Sequence, residues 1–199
     1  MSYTDFDIPR VEKDLRLEVV VRKIDWQSNS VAPSEWLSKS LEKGERNAFV
    51  SEKARSEFIV APVLLAAQEM AGYEVQIFSG QTLNVEPSIG LTGECDFILS
   101  KTKPTPALKS PIVALVEAKK NDIELGLGQC IAQMFAASIF NRQSGENFQT
   151  IYGCVTTGES WQFLKLEEKT AVVDSERFYI SEVEKILGVF KSIFSFYNI

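Results

Sequence analysis

The chain has 199 residues, 45% hydrophobic and 24% charged, with 21 basic and 27 acidic side chains for a net charge of −6. This is a globular mixture sized for one domain, which excludes a mainly disordered chain and a surface that is basic all over. There is no histidine, and the only cysteines are Cys95, Cys130 and Cys154, so Ser-His-Asp and Cys-His nucleophiles and the usual zinc sites are excluded too.

Taken in order, Leu17 to Ile24 is apolar and β-branched enough for a strand. Pro33-Ser34-Glu35 opens a helix with Trp36, Leu37 and Leu41 on one face, predicted to stop at Gly44. Asn47 to Met70 repeats apolar residues at helical spacing, and Pro62 predicts a kink, or a break between two helices, near residue 61. Glu57 stands in this otherwise apolar stretch. Glu74 to Phe78 and Gln81 to Glu86 read as two short strands around Ser79-Gly80, followed by a strand over Thr92 to Ser100. Lys101 to Ser110 holds two prolines and reads as a loop. Pro111 to Lys119 carries the run Ile112-Val113-Ala114-Leu115-Val116, the pattern of a strand buried on both faces. Asp122 is a predicted N-cap for a helix to about Arg142. Strands follow at Thr150 to Thr156 and Trp161 to Leu166, with a short edge strand at Tyr179-Ile180. Ser181 to Glu184 opens a last amphipathic helix with Ile186, Leu187, Phe190, Ile193 and Phe194 on its apolar face.

This order predicts one α/β domain, a central mixed β-sheet flanked by helices. Its core is expected over 47–166, with an N-terminal extension over 1–46 and the C-terminal helix over 181–198. No apolar run approaches the ~20 residues of a membrane span, and Met1 to Asp5 has neither a basic start nor an apolar stretch. A cytoplasmic protein with no membrane partner is the expectation, with three buried, reduced cysteines. The aromatic end of the last helix, Phe194, Phe196 and Tyr197, is expected to be mostly core, with part of it available to a homodimer.

The chemistry gathers around Val116-Glu117-Ala118-Lys119-Lys120. Strand alternation puts Glu117 and Lys119 on one face, where a carboxylate and an amine must be paired or bound to something. Asp96 interrupts the apolar strand Glu94-Cys95-Asp96-Phe97-Ile98-Leu99. If that strand pairs with 111–119, Asp96 comes beside Glu117, and a hard cation relieves the repulsion. Gln129 and Gln133, four apart on the next helix, share a face and can hold Lys119 or touch a phosphate. Residues 101 to 120 hold five lysines and one acid, Glu117, a local balance of +4 on a chain otherwise at −10.

An acid, a loop, a buried strand ending Glu117-Ala118-Lys119, then a helix bearing Gln129 and Gln133 resembles the PD-(D/E)XK nuclease superfamily, the restriction-endonuclease-like fold, over roughly residues 47 to 166. The segments Ser56-Glu57-Phe58-Ile59-Val60-Ala61-Pro62-Val63-Leu64 and Val155-Thr156-Thr157-Gly158-Glu159-Ser160-Trp161-Gln162-Phe163 are similar to the N-terminal nuclease domains of type I restriction motor subunits. The resemblance implies a metal-dependent nuclease acting on DNA. In it Asp96, Glu117 and the Ala118 carbonyl ligate Mg²⁺ or Mn²⁺, with Glu57 supporting the metal directly or through water. Lys119 orients or deprotonates the attacking water, and Gln129 is the helix amide, with Gln133 the weaker match. Lys101, Lys103, Lys109 and Lys120, with Gln133, are then the expected nucleic-acid contacts. The motif Asp follows Cys95 rather than a proline, and no motor or target-recognition segment accompanies the domain. The acidic net charge keeps an alternative in play: a catalytically silent member of the same fold, serving as a nucleic-acid or protein binding module.

Overall fold

The computed structural model describes residues 1–27, 30–146, 148 and 150–199. It is a mixed α/β fold with a seven-stranded sheet flanked by helices on both faces. In chain order the elements are α1 (Ile8–Asp14), β1 (Glu18–Arg22), α2 (Glu35–Ala48), α3 (Glu52–Arg55), a π-helical turn (Ser56–Val60), α4 (Ala61–Met70), β2 (Val75–Thr82), β3 (Glu94–Lys101), β4 (Ile112–Ala118), α5 (Glu124–Gln143), β5 (Thr150–Thr156), β6 (Ser160–Glu167), β7 (Thr170–Tyr179) and α6 (Val183–Phe196). The strand order is β1-β7-β6-β5-β4-β3-β2, with β4–β5 and β1–β7 parallel and the remaining pairs antiparallel.

One core layer packs α2, α4 and α6 against the sheet through Leu37, Leu64, Trp161, Phe163, Phe190 and their neighbours. The other packs α5, α1 and the N-terminal segment through Tyr3, Val11, Leu115, Ile131 and Val155. Every residue of β4 is buried, as its unbroken apolar run predicts for a strand covered on both faces. The helix on the second layer lies close. A Cβ on Gly153 of β5 would overlap Met134 Sδ and come within 2.9 Å of Cys130 Sγ. All three cysteines are free and buried. Among the described residues no helix is long and apolar enough to cross a membrane. Phe190, Phe194 and Tyr197 are buried, while Phe196 is 49% exposed.

Four expectations of local structure need correction. Helix α2 does not stop at Gly44 but runs to Ala48. Gly44 is a packing glycine instead, because a Cβ there would overlap the Phe58 carbonyl of the π turn. The helix expected from Asn47 begins only at Glu52, where the Ser51 hydroxyl accepts the Ala54 N–H. The irregularity expected near residue 61 is the π turn itself, in which Ala61 N–H donates to Ser56 O. Pro62 has no N–H to offer the Phe58 carbonyl. Residues 75–82 form one strand rather than two, since Gly80 takes φ +62 within it and the strand bends without breaking. The short edge strand expected at Tyr179 is the end of the ten-residue β7, which lies between β1 and β6. Its buried Asp174 hid it in the sequence. That carboxylate is satisfied by the Trp26 indole N–H at 2.7 Å and the Glu176 N–H at 3.1 Å, so the acid costs the strand little.

Candidate functional site

The site forms where β3 and β4 part. Their antiparallel ladder includes Phe97 opposite Val116. Beyond that pair the Asp96 carboxylate replaces a strand carbonyl by accepting the Ala118 N–H at 2.7 Å. On its other side β4 stays with β5, and the Lys119 N–H donates to Thr156 O at 2.8 Å. The sheet splays between Asp96 and Ala118 because a side chain, not a backbone, closes the last hydrogen bond.

Glu117 is only 3% exposed and collects three donors. Its Oε1 accepts from Lys119 Nζ at 2.7 Å and from Gln129 Nε2 at 2.6 Å, and its Oε2 accepts from Gln133 Nε2 at 2.9 Å. Gln129 Oε1 in turn accepts from Lys119 Nζ at 3.0 Å. Gln129 and Gln133 meet the strand together because four residues return a helix to the same face. Gly126 lets the start of α5 come down over Lys119, since a Cβ there would stand 2.6 Å from Val155 Cγ1 and 3.1 Å from Lys119 Cε.

Burial first, and then the charge of Asp96, push the Glu117 carboxyl up to about 7 despite its donors. Asp96 is raised as well, by burial, with the Ala118 N–H and Lys119 pulling the other way. Burial disfavours the Lys119 ammonium, but Glu117 outweighs it, with help from Glu52 and Asp96, and the lysine is raised. Lys119 is therefore a protonated donor at neutral pH. The arrangement sets an ammonium beside two carboxylates.

Asp96 also lines an open cleft of about 400 Å³ with Glu52, Lys53, Glu57, Ser79, Gly80 and Glu94. Glu52 starts α3 and Glu57 lies in the π turn that follows it. Arg55, 7% exposed, ties α3 to the β5–β6 turn. Its Nη1 donates to Thr157 O at 2.8 Å and meets Glu159 Oε2 at 3.2 Å. Its guanidinium stacks 4.8 Å from the Phe49 ring centroid.

The structure brings Asp96, Glu117, Ala118, Lys119, Gln129 and Gln133 together. Gln133, the loop lysines and Glu57 are placed differently from the expectation. Gln133, expected to touch nucleic acid, is fully buried and serves Glu117 only. Lys101, Lys103 and Lys109 belong to the far end of β3 and the loop after it, because antiparallel pairing puts Lys101 beside the start of β4 and Asp96 beside its end. Lys101 Nζ is occupied there, donating to Tyr197 O at 2.8 Å at the C-terminus of α6. Of the lysine strip only Lys119 and Lys120 are at the acidic end. Glu57 lines the cleft but lies 3.8 Å from Lys53 Nζ. Glu52 is the helix acid whose charge acts on Asp96 and Lys119. Glu52 and Arg55 escaped the sequence reading. The available signal was Ser51 as an N-cap, which starts the helix at Glu52 and puts that acid in its first turn.

Among the described residues no group of three or more histidine, cysteine, aspartate and glutamate side chains is placed to hold a metal. Asp96, Glu117 and the Ala118 carbonyl are a hard-oxygen set with two carboxylates. That suits Mg²⁺, which keeps several waters and needs one or two protein carboxylates, better than zinc or calcium. Burial raises both carboxyls, and the charge of Asp96 adds to the rise of Glu117. Compared with models of protein families and with curated proteins, the chain matches none.

Proposed function

We propose that the chain is a metal-dependent nuclease of restriction-endonuclease-like fold, hydrolysing phosphodiester bonds at the splayed end of β3 and β4. The observation that carries the reading is the end of the β3–β4 ladder, where Asp96 accepts the Ala118 N–H at 2.7 Å and lines an open cleft, and Lys119 Nζ lies 2.7 Å from Glu117. Asp96, Glu117 and the Ala118 carbonyl are the groups that would hold Mg²⁺ or Mn²⁺. The ion, when bound, lowers the pKa of its water and draws charge from the phosphate. Lys119, kept protonated by Glu117, donates to the negative charge growing on phosphate oxygen. Gln129 holds both Lys119 and Glu117, and Gln133 holds the other oxygen of Glu117, so neither group needs to reorganise. Arg55 and Gly126 keep α3 and α5 in place around them.

The test is hydrolysis of DNA and RNA by the purified chain in Mg²⁺ or Mn²⁺. Activity lost in both Asp96→Ala and Lys119→Ala supports the reading, and activity kept in both refutes it. One observation favours the silent binding module instead: the Lys119 ammonium is already held by Glu117 and Gln129 and its side chain is 18% exposed. That reading predicts nucleic acid or protein binding with no cleavage under either metal.

A further inference from the structure

We infer that β1 pairs with β1 of a second copy of this chain, antiparallel about Val20, so that the two sheets join edge to edge. The strand ends the sheet, with β7 on one side and no described strand on the other. Its Glu18 N–H donates to Lys169 O, just before β7, at 2.8 Å. The N–H and C=O groups of successive residues point to opposite sides of a strand. Those of Glu18, Val20 and Arg22 therefore face β7, and those of Val19 and Val21 face the open edge, where they form a template for another strand. The side chains agree. Val21 is 72% exposed, although its register partner on β7, Val173, belongs to the core. The opposite edge is a poorer template, because β2 bends at Gly80, where φ is +62, and a bend interrupts a flat edge.

The occupant follows from the sequence of the edge. Glu18-Val19-Val20-Val21-Arg22 complements itself when reversed. About a two-fold axis at Val20, Glu18 stands opposite Arg22 of the second copy, and Val19 stands opposite Val21 of the second copy. The valine pairs meet through their outward groups and exchange both N–H···O bonds. They also cover Val21 on the face where Val19 packs against the α5 layer. The Glu18–Arg22 pairs are of the kind without mutual hydrogen bonds, in which side chains stand closest, and opposite charges there favour the pairing. Paired in parallel, the two strands would set like charges against each other. Both charged groups are loosely held within their own chain. Arg22 Nη2 lies 4.0 Å from Glu167, which Lys165 holds at 2.6 Å, and Glu18 takes only the Thr170 hydroxyl at 3.4 Å. Two such short edges bury less than about 1,200 Å², the range of weak association, so the dimer forms in the micromolar range or above. It lies at the far edge of the sheet from β3 and Asp96, and it does not depend on the function proposed above.

The experiment is sedimentation velocity of the purified chain at low ionic strength, from about 1 µM to about 1 mM. The wild type is expected to pass from monomer to dimer across this range. Glu18→Arg and Arg22→Glu each set like charges opposite one another in a homodimer, and each should raise the dimer Kd at least about tenfold. Mixed together, the two variants meet with opposite charges at both ends of the strand, and the mixture should dimerise as the wild type does. The double variant, Glu18→Arg with Arg22→Glu, should do so by itself. Circular dichroism checks that each variant is folded, and the double variant keeps the test open should a single one fail to fold. A wild type still monomeric at about 1 mM, a dimer that either single variant leaves unchanged, or a mixture and a double variant that associate no better than the single variants overturns the inference. A dimer held instead through the exposed Phe196 at the end of α6 would give the second of these results.

Discussion

Asp96→Asn tests the electrostatics of the site without changing its shape. The asparagine carbonyl can still accept the Ala118 N–H that Asp96 now binds at 2.7 Å. What disappears is a negative charge that raises Glu117. Glu117 rises from 4.5 to about 7, which is about 3 kcal/mol against its ionised form at 1.36 kcal/mol per unit. Burial is the larger cause and Asp96 the second, so about 1 kcal/mol of that cost belongs to Asp96. Removing the desolvated Asp96 charge itself brings the expected gain to about 1–2 kcal/mol, or roughly 2–8 °C in Tm at this chain length. The sign follows from the protons bound. Because the folded pKa of Glu117 lies above its unfolded value, the penalty is absent below about 4.5, grows through the interval and is complete above about 7. Thermal melts in metal-free buffer should therefore show the variant ahead of the wild type at pH 8 and level with it near pH 5. Mg²⁺ should reverse the order. At a hundredfold excess over Kd it stabilises the wild type by about 2.7 kcal/mol, while the variant, lacking a ligand, responds little. A variant less stable than the wild type at pH 8 without metal, or one stabilised equally by Mg²⁺, would refute the picture of two carboxylates awaiting a cation.

Three further outcomes are expected. Arg55→Lys keeps the charge but loses the planar fork over Phe49 and its donation to Thr157 O, and should lower stability by about 1–3 kcal/mol in urea denaturation. Gly153→Ala puts a methyl against Met134 Sδ and Cys130 Sγ, and should cost about 1–3 kcal/mol by overpacking, read as a lower Tm with secondary structure unchanged in circular dichroism. Lys101→Met removes a cation from the end of α6, 96 residues away in sequence from the Tyr197 carbonyl it binds. It should cost about 0.3–1 kcal/mol and leave any hydrolysis and its salt dependence unchanged, whereas a weakened nucleic-acid affinity would show that the far lysines belong to the substrate surface.

Much of the site is written in local chemistry. An unbroken apolar run ending in Glu-Ala-Lys is a strand covered on both faces with its charged groups at the exit, and two glutamines four apart can only face one way from a helix. Those patterns depend on periodicity, which neighbouring residues carry by themselves. The π turn was harder to see, because Pro62 signals a disturbance but not whether the chain kinks, breaks or widens its turn. That choice was made by Gly44, which admits the Phe58 carbonyl. Strand β7 was missed because Asp174 is polar in sequence and satisfied only by partners far along the chain, such as Trp26.

From its residues alone, the chain determined its α/β class, the buried strand β4, the shared face of Glu117 and Lys119, and the shared face of Gln129 and Gln133. The tertiary structure alone decided which charges face one another. Antiparallel pairing of β3 with β4 joined Asp96 to Glu117 and, by the same geometry, carried Lys101, Lys103 and Lys109 to the other end of the sheet. A run of lysines close in sequence is one patch only if the backbone does not reverse within it. Here β3 ends at Lys101 and β4 turns back toward Lys119, so opposite ends of one run serve opposite ends of the molecule.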